Sequence, residues 1–403
     1  MQYVVLRCVA TLACLASVLS VSPAFADKAG RSGQAEAQNS VQKRDSRTQQ
    51  RANAGNPRIP NKKDARNTKT GKPAPKEDPE YLKYGIYAKT APHAKLAKPV
   101  ETTLPLKLQK GDRIALVGNT LIDRMRLFGH FETMLHQRFP NHKLTVRNLA
   151  WPADTVDMQP RPANFADQDQ HLTHAKADVI FAGYGFNESF AGEAGLPAFR
   201  ESLTKYVQSL KSTAFNGKTG PKIILVSPTA NENIDGVEAG RQNNANIRRY
   251  VDEMRSVAEE QNVGFADVFE DTQRAMRPVQ VDLTLNGVHL LELGYEVFSR
   301  SLYRQTFGED ASAINEDLRA NVVDKNRQFF RRYRPLNTFY YTGGRNKDYG
   351  YLDFLPAMKN FDIMVANRDQ RSWDIASGKL RMVEQYGYEA LRLNVGLKHD
   401  DFS

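Results

Sequence analysis

Between Asp112 and Gly308, short apolar runs alternate with longer stretches in which apolar residues recur every three to four positions. The runs are Arg113–Gly118, Lys143–Ala150, Asp178–Tyr184, Lys222–Ser227 and Val263–Val268. The periodic stretches are Leu121–Phe139, Leu196–Leu210, Gln242–Glu260 and Leu291–Phe307. A short, nearly continuous apolar run predicts a strand covered on both faces, and a period near 3.6 predicts a helix with one buried side. Strands alternating with helices predict parallel β-α units, hence a three-layer α/β/α domain around a mostly parallel sheet. Such sheets collect ligands beyond the carboxyl ends of their strands. No internal repeat is visible.

The flanks follow other rules. Residues 315–332 predict an amphipathic helix, with Ile314, Leu318, Val322 and Phe329 at helical spacing and Pro335 as its stop. The aromatic, glycine-containing stretch Phe339–Gly344 predicts a loop. Residues 309–403 therefore read as a largely helical C-terminal extension, with a cationic set (Arg327, Arg331, Arg332, Arg334) that either forms a solvated helix face or lies over the strand ends. Residues 79–109 read as a lead-in to the domain, with Tyr81, Tyr84 and Tyr87 as docking side chains.

Composition changes the picture at the N-terminus. A short apolar run from Cys8 to Val21 precedes Ala24-Phe25-Ala26, the pattern of a secretory signal cleaved after Ala26. The run is too short to span a bilayer, so residues 1–26 predict export and no transmembrane segment after signal removal. The expected location is the periplasm or the exterior. Both cysteines, Cys8 and Cys14, lie in this leader, so the mature chain has neither disulfide nor thiol ligand.

The net charge of +10 is concentrated in residues 27–78, which carry thirteen basic and six acidic residues and almost no large apolar ones. Such a segment cannot bury enough surface to offset its ordering entropy and reads as a disordered basic tail, a solvated spacer or a loose contact to an anionic cell-envelope surface. The rest of the mature chain is nearly neutral, which argues against a basic face for nucleic acid. Deleting residues 27–78 is expected to leave the thermal unfolding midpoint unchanged. A clear drop would show that the segment packs on the domain.

Four segments fall at predicted strand ends. Gly118-Asn119-Thr120-Leu121 opens a helix and puts a hydroxyl near the positive end of its dipole, where Thr is also a common N-cap. The segment Asn148–Thr155 follows the second strand. Gly185-Phe186-Asn187-Glu188 follows the third and offers an amide donor for an oxyanion, although Gly and Asn are also ordinary turn residues. Asn286-Gly287-Val288-His289 precedes the last helix of the domain, where the imidazole is within reach of a general-base role or is simply structural.

Together, in this order, these segments resemble the four blocks of the SGNH (GDSL-type) hydrolases, over roughly residues 110–308. The resemblance implies a flavodoxin-like five-stranded sheet of order 2-1-3-4-5 and hydrolysis of carboxylic esters, on a small molecule or as acyl or acetyl groups on a glycan. No metal or organic cofactor is implied. Carried over by position, Thr120 is the nucleophile, His289 the base and Asn286 the residue supporting it. The backbone N–H groups of Thr120 and Ala150, with Asn187, form the oxyanion hole.

The departures are as specific as the matches. Thr120 stands where the family has Ser, Asn119 and Asn286 stand for its two Asp residues, and Ala150 stands for Gly, with Pro152 and Ala153 where another Gly is common. The β-branch of Thr crowds the hydroxyl, and Asn supports an imidazolium less well than Asp. Asp154 and Glu188 are acids near enough in sequence to compensate, or else surface or capping carboxylates. These substitutions keep a second reading open: a non-catalytic binding or scaffold protein of the cell envelope on the same fold.

Overall fold

The structure, a computed structural model, describes residues 84–277, 281–335, 338–343 and 355–379, all in the unit that begins at Glu77. The expected leader, the basic tail and Tyr81 lie outside the described residues.

Five parallel strands make the main sheet: β1 (Arg113–Gly118), β2 (Thr145–Asn148), β3 (Val179–Gly183), β4 (Lys222–Val226) and β5 (Gly264–Ala266). Their spatial order is 2-1-3-4-5, as the family resemblance implied. Register runs Ile114 to Val146 on one side of β1 and Ile114 to Val179 on the other. Because side chains alternate across a strand, each strand feeds two cores. Ala115, Val117, Ile180, Ala182, Ile223 and Leu225 face one core, and Ile114, Leu116, Val179, Phe181, Ile224 and Val226 the other.

The helices close both faces. On one side lie α3 (Gln168–Ala175), α4 (Leu196–Lys211) and α5 (Ala239–Glu260), contributing Leu172, Leu203, Val207, Met254 and Val257. On the other lie α1 (Thr120–Phe128), α2 (His130–Arg138) and α7 (Glu292–Phe307), contributing Ile122, Met125, Phe131, Phe298 and Leu302. The short α6 (Phe269–Ala275) follows β5.

One predicted helix is two. The stretch 121–139 breaks at Gly129, which adopts a left-handed conformation (φ 71°) and donates its N–H to Met125 O. Glycine tolerates this C-cap geometry without steric cost, so the apolar period continues while the axis does not. The loop expected at 339–344 is corrected over its first residues: Thr338–Tyr341 forms a helical turn, with Thr342 N–H returning to Thr338 O at 2.8 Å, and Gly344 lies outside the described residues.

Helices α8 (Glu316–Tyr333) and α9 (Leu355–Ala376) pack against each other and cover the β2 edge of the sheet. An uncovered edge strand presents unpaired backbone groups. Here side chains from the extension supply donors: Lys325 Nζ to Val146 O (3.0 Å), Trp373 Nε1 to Leu144 O (2.8 Å) and Tyr333 OH to Leu149 O (2.9 Å). Lys325 is fully buried and pairs with Glu132 of α2 at 2.7 Å. On the lead-in, Tyr84 and Tyr87 are buried in the core beside α3. No helix among the described residues is long and apolar enough to cross a membrane.

Candidate active site

The site is built where β1 and β3 come closest. A Cβ on Gly118 (φ 141°) would lie 2.2 Å from Gly183 O, so only glycine lets these strand ends approach, and Asn119 N–H then bonds Gly183 O at 3.2 Å. Asn119 Oδ1 accepts from Leu121 N–H at 3.1 Å and caps α1. Capping therefore falls to Asn119, and Thr120 is the first residue of the helix.

The loop after β2 folds back over this end. Trp151 N–H bonds Gly118 O at 3.1 Å, and Ala153 N–H points at Thr120 Oγ1 at 3.2 Å. Ala153 is left-handed (φ 64°), a conformation that favours glycine. This corrects the expected oxyanion donor. Ala150 N–H is spent on Asn148 Oδ1 at 3.1 Å and Ala150 is buried in the core beneath α1, so Ala153 is the residue of this loop whose N–H reaches the nucleophile position. The sequence did carry a signal, the second glycine position of the block.

The C-terminal extension buttresses the same loop. Trp151 donates from Nε1 to Tyr333 OH at 2.7 Å, and the guanidinium groups of Arg161 (4.7 Å) and Arg334 (4.5 Å) both stack over its ring. Arg334 also bonds Asp123 at 2.7 Å. The other cations of the extension do not reach the cleft: Arg332 is engaged by Asp362 at 2.8 Å, and Arg327 and Arg331 are exposed on α8.

The loop after β3 is tied to the loop after β2 by Glu188, which accepts from Gly185 N–H at 2.9 Å and Val156 N–H at 3.0 Å. Asp154 is buried and forms a bidentate pair with Arg161 at 2.9 and 2.7 Å. Burial raises both carboxyls above the ordinary range, opposed at Asp154 by Arg161 and at Glu188 by backbone N–H groups. Both acids are occupied in holding loops and neither lines the cleft. Asn187 Nδ2 donates weakly to Asp154 O at 3.4 Å, which leaves its second N–H for another acceptor.

His289 sits on the fourth segment. Asn286 Oδ1 accepts from His289 N–H at 2.9 Å and Val288 N–H at 3.3 Å, and lies 3.1 Å from His289 Nδ1. Two backbone donors fix which atom of the Asn286 amide faces the ring, and an oxygen there requires the proton on Nδ1. Nε2 is then the basic nitrogen. Glu232, unforeseen from the sequence, anchors this segment: its carboxylate accepts from Leu283 N–H (3.0 Å), Thr284 N–H (2.8 Å) and Thr284 Oγ1 (2.7 Å).

Thr120, Asn119, Asn187 and His289 line one cavity of about 160 Å³, walled by Phe186, Pro228, Val288 and Leu290. No hydrogen bond joins Thr120 to the His289 ring among the described residues. Burial lowers the His289 imidazole from its ordinary 6.5, and the nearby Arg124 adds to the fall. No three His, Cys, Asp or Glu side chains cluster as metal ligands among the described residues.

A glycine-pinned strand end, a helix opening on a hydroxyl and a histidine on the loop before the last helix define an SGNH-type hydrolase domain. Residues 111–297 match the GDSL-like lipase/acylhydrolase family, and the central domain of this chain belongs to it. Solved structures similar to it include Axe2, an acetylxylan esterase from Geobacillus stearothermophilus, at 18% identity over 52% of this chain and 100% of that one (TM-score 0.39). Another is a putative GDSL-like lipase from Parabacteroides merdae, at 16% identity over 50% and 97% of the two chains (TM-score 0.40). No curated protein matches the sequence.

Proposed function

We propose that the chain is an exported hydrolase of carboxylic esters, acting on acyl or acetyl groups of a small molecule or glycan through a Thr-His variant of the family's mechanism. The observation that carries this reading is the 3.2 Å approach of Ala153 N–H to Thr120 Oγ1, on a residue that lines the same cavity as His289. A donor beside the attacking oxygen also lies beside the oxygen of the carbonyl that it attacks.

In the reaction, Thr120 Oγ1 adds to the ester carbonyl as its proton passes to His289 Nε2. The carbonyl electron pair moves to the oxygen, which takes hydrogen bonds from the N–H groups of Thr120 and Ala153 and from Asn187 Nδ2. The alcohol leaves with the proton from His289. Water, deprotonated by the same nitrogen, then releases the acid and restores Thr120. Asn286 fixes the ring and its tautomer but contributes no charge to the imidazolium.

That missing charge, with the absence of a Thr120–His289 hydrogen bond among the described residues, supports a second reading: a binding protein that has kept the cleft. The variant Thr120→Ser/Asn286→Asp separates the two. Serine removes the methyl that crowds Oγ, and Asp supports the imidazolium. The double variant is expected to raise hydrolysis of a short acyl ester at least ~10-fold, about 1.4 kcal/mol of barrier. If it stays folded but hydrolyses no faster than His289→Ala, the binding reading replaces this one.

A further inference from the structure

Arg124 stands one turn after Thr120 on α1, at the i+4 position and so on the same face of the helix. It lines the cavity with Thr120 and His289. Its Nη2 donates to Leu290 O at 3.2 Å, the residue next to His289, and its guanidinium carbon lies 6.0 Å from the Tyr295 ring. Its Nε is buried without a hydrogen-bond partner, and no carboxylate pairs with it among the described residues. Arg126 and Arg334, by contrast, share Asp123. A guanidinium half-withdrawn from water without a counter-ion is unfavourable unless something else completes its bonding.

The reaction gives that cation a further consequence. His289 must become imidazolium in the transition state, yet the family's acid is Asn286, and Arg124 is a second positive charge on the same cavity. An anion seated on Arg124 would offset both. Arg124 is the one permanently charged side chain lining the cavity among the described residues, and its planar fork matches a carboxylate. A single charge favours this monoanion over a phosphate dianion.

We propose that Arg124 is the specificity-determining residue of the cleft and that the substrate is an ester bearing a carboxylate, which docks on Arg124 and supplies the negative charge that Asn286 does not. The catalytic half of this inference rests on the hydrolase reading, whereas the anion site does not. The carboxylate belongs either to the acyl part, as in a dicarboxylic half-ester, or to the alcohol part, as in an acylated uronic or hydroxy acid.

Two matched pairs distinguish the sources: phenyl hydrogen succinate against phenyl butyrate, and 3-acetoxybenzoate against phenyl acetate. In one pair the anionic ester is expected to have the higher kcat/KM by at least about tenfold. The preference should vanish in Arg124→Gln and persist in part in Arg124→Lys, which keeps the charge but not the fork. An unchanged preference in Arg124→Gln, or none in the wild type for either pair, overturns the specificity.

Binding is read apart from turnover by NMR titration of the His289 imidazole. The charged group that bears on this ring is Arg124, and the other polar side chains around it (Thr120, Asn187, Asn286) are neutral. Monomethyl succinate or benzoate should raise the His289 pKa in the wild type and leave it unmoved in Arg124→Gln. If neither anion moves it, the proposal fails whatever the turnover. If an anion moves it but no ester is hydrolysed, the anion site stands and the hydrolase reading fails.

Discussion

Replacing Lys325 with Met should destabilise the folded chain by about 3–5 kcal/mol, because it leaves a buried carboxylate without its counter-ion. Lys325 Nζ is fully buried and reaches Glu132 at 2.7 Å, Val146 O at 3.0 Å and Asn326 Oδ1 at 2.7 Å. The substitution therefore removes a charge and the donor to three acceptors in one step, while methionine fills much the same volume. Burial by itself would raise the Glu132 carboxyl. Lys325, helped by His136, instead holds it at about 2, against its ordinary 4.5. A depressed carboxyl contributes stability that is fully present above its unfolded value and is lost as pH falls through the folded one. The wild type should thus lose the contribution of this pair between about pH 4.5 and pH 2.

The measurement is thermal unfolding at neutral pH, with a drop in the midpoint on the order of 5–10 °C. Adding Glu132→Leu removes the stranded charge and should recover most of the loss, since a buried pair replaced whole by apolar groups is often near neutral. A single variant within about 2 °C of wild type would mean that the extension is not fastened through this pair.

Replacing His289 with Ala should lower kcat for ester hydrolysis by about 10²–10⁴, the span of a general base, with little change in the unfolding midpoint. The ring is half-buried and bonds only to Asn286, so few contacts are lost with it. The sign of the pH dependence follows from its surroundings. Burial and Arg124 lower the imidazole from 6.5, and the neutral form is the base, so kcat/KM should rise with pH to an inflection below 6.5 and then level off. Retained activity in His289→Ala, or an inflection well above 6.5, would assign the base elsewhere.

Features set by short-range interactions are legible in the sequence, and those set by long-range ones are not. The strand Arg113–Gly118 is legible in the sequence because a strand buried on both faces needs a continuous apolar run, here Ile114–Val117, which the glycine closes. The helix 315–332 was nearly as well bounded, since its apolar stripe and Pro335 are local signals. The order 2-1-3-4-5 came from family likeness rather than from periodicity, which does not say which strands are neighbours. The break at Gly129 is not legible in the sequence, because glycine inside a helical pattern can be tolerated or can cap, and here α8 packs against the turn, with Val322 and Val323 near Gly129.

The site divides in the same way. The sequence by itself marked four polar segments at predicted strand ends, with Asn187 and His289 on two of them, and the structure brings both residues to one cavity with Thr120. The sequence also determined that Asn286 lies three residues before His289, close enough in any turn to hold the ring. Only the tertiary structure decided that Ala153 rather than Ala150 donates toward Thr120, that Asp154 and Glu188 are consumed in bracing loops, and that Arg124 enters the cleft without a carboxylate partner among the described residues. Each of these depends on where a side chain or an N–H points once distant segments are packed together. The 153 N–H meets Thr120 across 33 residues, and Tyr333 reaches Trp151 across 182. The direction of a bond across such a span is set by the packing of the core and the extension. A linear sequence records composition and period, and neither specifies that direction.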